Sequence, residues 1–236
     1  MGMSSRRATG ISGIVFVVLA IAIVILGGDA DFSRDDAALE DFFVRDTRQA
    51  QAITAVALLP IAAAALLWFV AGIRSLLSFG DDGAGMLPSA AALGGGVFAA
   101  TFVVGITTSN SVAAALAFTD AYQFDAGIAR LTLILGIILT TASLAGAAVL
   151  VVATSLAGRR SGLLPTWLSR SGYVVAVLAL FSVLLFAWPI ALVGLWLLTL
   201  SIMLLRGPKT IHTAEAPFQR ADESPTNRAT GPEVSG

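Results

Sequence analysis

Six apolar runs separated by short polar segments set the plan of this chain. They cover about residues 11–27, 52–73, 89–108, 131–154, 173–188 and 189–206. A helix needs about 20 apolar residues to cross about 30 Å of hydrocarbon, at about 1.5 Å of rise per residue. The pattern predicts an all-α membrane protein, a bundle of six transmembrane helices in one domain over residues 11–206. An even number of crossings puts the N- and C-termini on the same side. Residues 1–10 form a short N-terminus. Residues 207–236, rich in Pro, Thr, Ser, Glu and Arg, are expected to be a disordered tail.

The first run follows Arg6 and Arg7, which is also the plan of a signal peptide. Its core is longer than the usual 7–15 residues, and Gly27-Gly28-Asp29 is a poor cleavage site, so an uncleaved span is expected. The segment 28–51 is the most charged. Ser33 is placed to cap a helix, with Asp35, Asp36 and Glu40 near its positive end. Leu39, Phe42 and Phe43 recur at three and four residues and share one face. An amphipathic helix is expected here, on the extracytoplasmic surface, running directly into the second span. Its aromatic face would lie on lipid or on neighbouring helices.

Pro60 is expected to kink the second span, which Trp68 and Arg74 close. Ser75–Leu87 reads as a loop closed by Pro88, with the third span starting near Ser89. Gly94, Gly95 and Gly96, with the alanines around them, form a small-residue face of the kind that lets helices approach closely in lipid. Lying inside a span, they are no phosphate cradle. Beyond Thr107 the third helix is read as extending past the membrane. Gly136 and Gly146 supply small faces to the fourth span. The last two runs form a tight pair turning at Ala187-Trp188-Pro189.

Composition agrees with this plan. The chain of 236 residues is 57% hydrophobic and 12% charged, against about 25% charged in soluble domains, and its mean hydropathy is +0.88. Thirteen arginines against one lysine point to a GC-rich, bacterial genome. Ten of the basic residues fall on one set of helix ends: Arg6, Arg7, Arg74, Arg159, Arg160, Arg170, Arg206, Lys209, Arg220 and Arg228. Four fall on the other: Arg34, Arg45, Arg48 and Arg130. Lys and Arg accumulate on the cytoplasmic side, so both termini are expected in the cytoplasm of a bacterial cell, the protein being multi-pass in its cytoplasmic membrane.

Several chemistries are excluded. With no cysteine there is no disulfide, thiolate metal site or cysteine nucleophile. The one histidine, His212, lies in the tail, which removes bis-histidine haem ligation and an intramembrane histidine relay. A net charge of −1 does not suit nucleic acid. The cores of the spans hold no ionisable residue, the usual mark of a proton-coupled transporter or charge-lined channel. Asp29, Asp31, Ser33, Asp35 and Glu40 match the spacing of an EF-hand loop, but Arg34 stands where that loop requires glycine. Helix capping is the preferred reading of those acids. No cofactor is expected.

Two groups of residues remain as candidate sites. Glu40, Asp41, Phe42, Phe43 and Arg45 of the outer segment, with Asp120, Asp125 and Arg130 of the connector between spans three and four, are candidates for an extracytoplasmic pocket. The same charges read equally as surface ion pairs. Arg159, Arg160, Pro165, Trp167, Arg170 and Tyr173 form a basic, aromatic connector suited to anchoring on anionic inner-leaflet lipid. Pro165 would stop the fourth helix and open a short interfacial helix. The expected function is that of a non-enzymatic integral membrane protein acting through protein or lipid partners: membrane lipids, and a second copy of the chain or another membrane protein. The alternative is a binder or transporter of a small apolar molecule reaching it through the outer pocket.

Leu164-Pro165-x-Trp167-Leu168-x-x-x-Gly172-Tyr173 resembles the LLPxWLxxxGY connector of a family of six-helix bacterial membrane proteins, actinobacterial in type, whose domain is uncharacterised in function. Leu67-Trp68-Phe69-Val70-Ala71-Gly72-Ile73-Arg74 is similar to a second shared stretch, and the Phe42-Phe43 helix to a third. The resemblance implies a six-span helical domain over residues 11–206 and no particular activity.

Overall fold

The computed structural model describes residues 3–27, 35–78, 85–119, 121–182 and 188–206. Seven helices are present among the described residues, with no strand: α1 (Met3–Gly27), α2 (Asp36–Val44), α3 (Asp46–Ser78), α4 (Met86–Phe118), α5 (Ala126–Arg160), α6 (Thr166–Leu180) and α7 (Trp188–Arg206). Five of them, all but α2 and α6, are long and apolar enough to cross a membrane. The chain is a multi-pass helical membrane protein.

The six longer helices close into a ring, α1–α3–α4–α5–α6–α7 and back to α1. Neighbours run antiparallel, as the facing pairs show. A methyl on Gly10 would stand 2.8 Å from the Ser201 carbonyl oxygen and 2.9 Å from the Leu205 side chain. The start of α1 therefore lies beside the end of α7. Gly72, near the end of α3, abuts Thr9 of α1. The described parts of both chain ends thus share one end of the bundle, and Arg74, Arg159, Arg160, Arg170 and Arg206 lie at that end with them. It is called the basic end below, and the opposite one the α2 end.

Between α4 and α5 the backbones come into contact at two levels. A methyl on Gly94 would meet the Gly146 carbonyl oxygen at 2.8 Å, and one on Gly146 would meet Phe98 N at 2.6 Å. Three turns away, a methyl on Gly136 would meet the Gly105 carbonyl oxygen at 2.8 Å. In lipid, where apolar side chains gain nothing from leaving water, this close approach is what holds two helices together. Gly95 packs on Val70 of α3, whereas Gly96 faces open space. Inside the ring, Phe16 of α1 meets Phe98 and Phe102 of α4 edge-on, with centroids 6.0 and 6.5 Å apart.

Several elements differ from the sequence reading. α3 continues through Ser78, so the loop expected from Ser75 begins later. α4 starts at Met86, three residues before Ser89, with Pro88 inside its first turn. The first four N–H groups of a helix have no intrahelical partner, so proline costs nothing there. The expected short interfacial helix after Pro165 is absent. Pro165 holds the N-cap position, and α6 runs unbroken from Thr166 past Tyr173 to Leu180, because nothing in that stretch interrupts its hydrogen bonds. Its 15 residues reach about 22 Å. Ala187 of the expected last turn lies outside the described residues, while Trp188 and Pro189 form the first turn of α7.

Hydroxyls along the spans mostly bond back to their own helices. Thr108 donates to the Val104 carbonyl at 2.8 Å, Ser143 to Thr140 at 2.6 Å and Ser201 to Leu197 at 2.8 Å. Two reach across to α5: Ser169 donates to the Ser155 carbonyl at 2.9 Å and Ser182 to that of Thr141 at 3.3 Å. Trp196 Nε1 donates to the Leu168 carbonyl at 3.2 Å, tying α7 to α6.

Candidate functional site

At the α2 end, the short helix α2 lies against α3, α4 and α5. Its N-cap is Asp35, whose carboxylate accepts from the Ala38 amide at 2.8 Å. The cap expected at Ser33 falls outside the described residues, as do Asp29, Asp31 and Asp120. The helix does not run into the next one: Arg45 is extended, with φ −60° and ψ 126°. That single residue turns the chain from the surface into α3.

Leu39 and Phe43 are fully buried, packed with Ala52, Val112, Ala113, Ala129 and Leu133. Phe42 meets Phe43 edge-on at 5.2 Å, and Phe124 lies 6.1 Å from Phe43. The aromatic face thus lies on neighbouring helices. It fills the space between α3, α4 and α5 over which the pocket was expected. Of the polar pocket residues, Glu40, Asp41 and Arg45 stay on the exposed side of α2, where Asp41 and Arg45 pair with each other. Asp125 is the N-cap of α5, accepting from the Ile128 amide at 2.8 Å. Arg130 joins Asp36 at 2.6 Å, linking α5 to α2. Exposed pairs contribute about 0–1 kcal/mol, whereas burying a side chain such as Leu39 or Phe43 contributes about 1.5–3 kcal/mol. α2 is held by its apolar face.

Beneath it lies a residue that the sequence counts among the basic residues at the outer helix ends. Arg48, in the first turn of α3, is only 4% exposed. Its guanidinium donates to the Leu26 carbonyl oxygen at 3.1 Å and to Asn110 Oδ1 at 2.8 Å, and it lies 5.2 Å from the Phe42 ring centroid. Leu26 is in the last turn of α1, whose free carbonyls carry partial negative charge. Asn110 is aimed by its own amide, which donates to the Ile106 carbonyl at 2.8 Å. Among the described residues no carboxylate pairs with Arg48. Its charge is balanced by a helix C-terminus, an amide oxygen and an aromatic face. The signal was present in spacing: Arg48, Ala52, Ala55, Leu59, Ala62 and Leu66 form one buried stripe of α3. Asn110 carried no such mark.

At the basic end, the connector is a built turn. Gly162 adopts φ +68°, a conformation that costs other residues about 1–2 kcal/mol. Leu164 N donates back to the Gly158 carbonyl at 2.9 Å, and the Leu164 side chain covers Gly158 so closely that a methyl there would meet it at 2.5 Å. Leu168 is buried, while Trp167, Arg159, Arg160 and Arg170 are exposed and Tyr173 is half-buried. The connector residues do come together on one end of the bundle. Among the described residues, no three acids or histidines cluster as metal ligands would.

Compared with known proteins, the chain matches no family model, no curated protein and no solved structure.

Proposed function

We propose that this chain is a non-enzymatic six-span protein of a bacterial cytoplasmic membrane, both termini cytoplasmic, that acts through protein or lipid partners. On this reading it belongs with the six-helix proteins whose LLPxWLxxxGY connector it resembles. α6 belongs to the fifth span, and the basic end faces the cytoplasm, in keeping with the positive-inside rule.

The observation that carries the reading is the state of α5. From Ser143 to Gly158 most of its residues are buried between α4 and α6. From Leu131 to Ile138 the same helix exposes Leu131, Ile134, Leu135, Ile137 and Ile138. Among the described residues, α6 and α7 cover one half of α5 and leave the other half exposed. An apolar face of this kind within the membrane is a place for lipid or another helix. The interior supports the same reading: most of its hydroxyls bond to backbone, Thr154 and Ser155 excepted, and Arg48 is held by Leu26 and Asn110.

Native mass spectrometry of the protein, gently extracted from its own membrane, tests this. A stoichiometric protein partner, a second copy or a retained lipid is the expected result. Repeated extracts yielding the bare monomer would overturn it.

A further inference from the structure

α2 sends two side chains fully into the bundle. Leu39 and Phe43, one turn apart, are buried between α3, α4 and α5, while Asp36, Glu40, Asp41 and Val44 stay exposed. The buried wall that receives them is made largely of small residues: Ala52 of α3, Ala113 of α4 and Ala129 of α5, with Val112 and Leu133. Leu116, Tyr122 and Phe124 stand half-buried around it. Bulk is thus supplied by α2 and space by the three long helices. Alanine has no side-chain rotamer with which to fill that space when Leu39 and Phe43 leave it. The pair is a plug in a socket.

The polar contacts of α2 lie at the surface. Among the described residues, Asp36 meets Arg130 of α5 at 2.6 Å, and Gln49 Nε2 donates to the Val44 carbonyl oxygen at 3.2 Å. Exposed to water and salt, such contacts hold weakly. The joint to α3 is a single residue. The Arg45 carbonyl oxygen accepts from the Arg48 and Gln49 amides at 2.9 and 3.1 Å, so it belongs to the first turn of α3. Rotation about the Arg45 N–Cα bond therefore carries α2 away while α3 keeps those two bonds. Arg48 stays held by Leu26 and Asn110, and parts from the Phe42 ring that now lies 5.2 Å from it. The order of nine residues stands against the burial of two side chains, and few buried apolar contacts are what lets a segment open locally.

We propose that α2 is a hinged lid, which opens as a unit about Arg45, draws Leu39 and Phe43 out of the socket, and closes when the same pair returns. Open, the α2 end presents an apolar socket lined by alanines. Arg48 lies one turn before Ala52 and Asn110 one turn before Ala113, so a guanidinium and an amide stand beside it. Closed, that surface is withheld. The lid requires no assumption about partners or about which side of the membrane this end faces.

The test is thiol labelling of the full chain, purified in detergent, with one cysteine introduced at a time into a sequence that has none. Ala113 lies under the plug and Ala147 lies in the α5 part of the main core, and both are fully buried. A bulky, water-soluble maleimide should modify Ala113→Cys slowly and Ala147→Cys not at all. Adding Phe43→Ala should speed the reaction of Ala113→Cys about a hundredfold, the effect of losing one buried phenylalanine from the closed state, and leave Ala147→Cys unreactive. Hydrogen exchange of the unsubstituted chain gives a second readout: the amides of 40–44 should exchange together, and faster than those of Arg48 and Gln49. An unreactive Ala113→Cys in both backgrounds, equal rates with and without Phe43→Ala, or reaction of Ala147→Cys in step with Ala113→Cys would overturn the lid. So would exchange of Arg48 and Gln49 in step with α2, which would place the moving part beyond Arg45.

Discussion

Arg48 is held by two acceptors that lie 22 and 62 residues away in the chain, and its cost as a buried charge is set by them. Removing the guanidinium leaves the buried Asn110 side-chain oxygen and the half-buried Leu26 carbonyl without that donor. Losing one side of a buried hydrogen bond costs about 1–3 kcal/mol. Arg48→Ala is therefore expected to lower thermal stability in detergent by that order. Asn110→Ala should do less, and the double variant should lose less than the sum, because both changes break the same contact. Strict additivity in that cycle would show that the two side chains do not act together. At this scale the sequence was half legible. Arg48 continues the buried stripe of α3, but a charged residue on such a stripe reads as surface until its acceptors are known, and neither acceptor is near it in the chain.

Glycines show the same division at the scale of the element. Gly94, Gly95 and Gly96 look alike as letters, and their neighbourhood is rightly read as packing. Only the fold separates them: Gly94 touches the backbone of α5, Gly95 touches Val70, and Gly96 touches nothing within 4 Å. Gly146→Val should prevent the α4–α5 approach, since even a methyl would meet Phe98 N at 2.6 Å and backbone cannot easily yield. The expected outcome is loss of the folded monomer on gel filtration, with Gly96→Ala unchanged. Equal behaviour of the two variants would refute the assignment. Helix ends were also only partly legible. Apolarity stops where the membrane stops, but α3, α4 and α5 continue beyond it, to 33, 33 and 35 residues. α5 is bounded by the Asp125 cap and the turn at Gly162, and α3 begins just after Arg45, where the apolar face of α2 holds the chain.

For the molecule as a whole, the cysteine-free sequence makes the membrane orientation directly measurable. Ser161→Cys, at the basic end, should react with a membrane-impermeant maleimide only after the cells are opened. Thr119→Cys, just beyond α4, should react in intact cells. The reverse pattern would invert the topology, and labelling of both from one side would remove an odd number of crossings between them. Hydropathy and length alone determined that this is a helical, multi-pass protein, because in hydrocarbon the backbone must bond within itself and only long apolar helices do so separately. Local chemistry likewise marked the turn at Pro165 and the face shared by Leu39, Phe42 and Phe43. Tertiary structure decided the rest: that the ring closes through α1 and α7, that α2 packs against α3, α4 and α5, and that Arg48 is buried. Each of these depends on which helix stands beside which, and contacts between residues far apart in the chain leave little trace in the order of residues along any one helix.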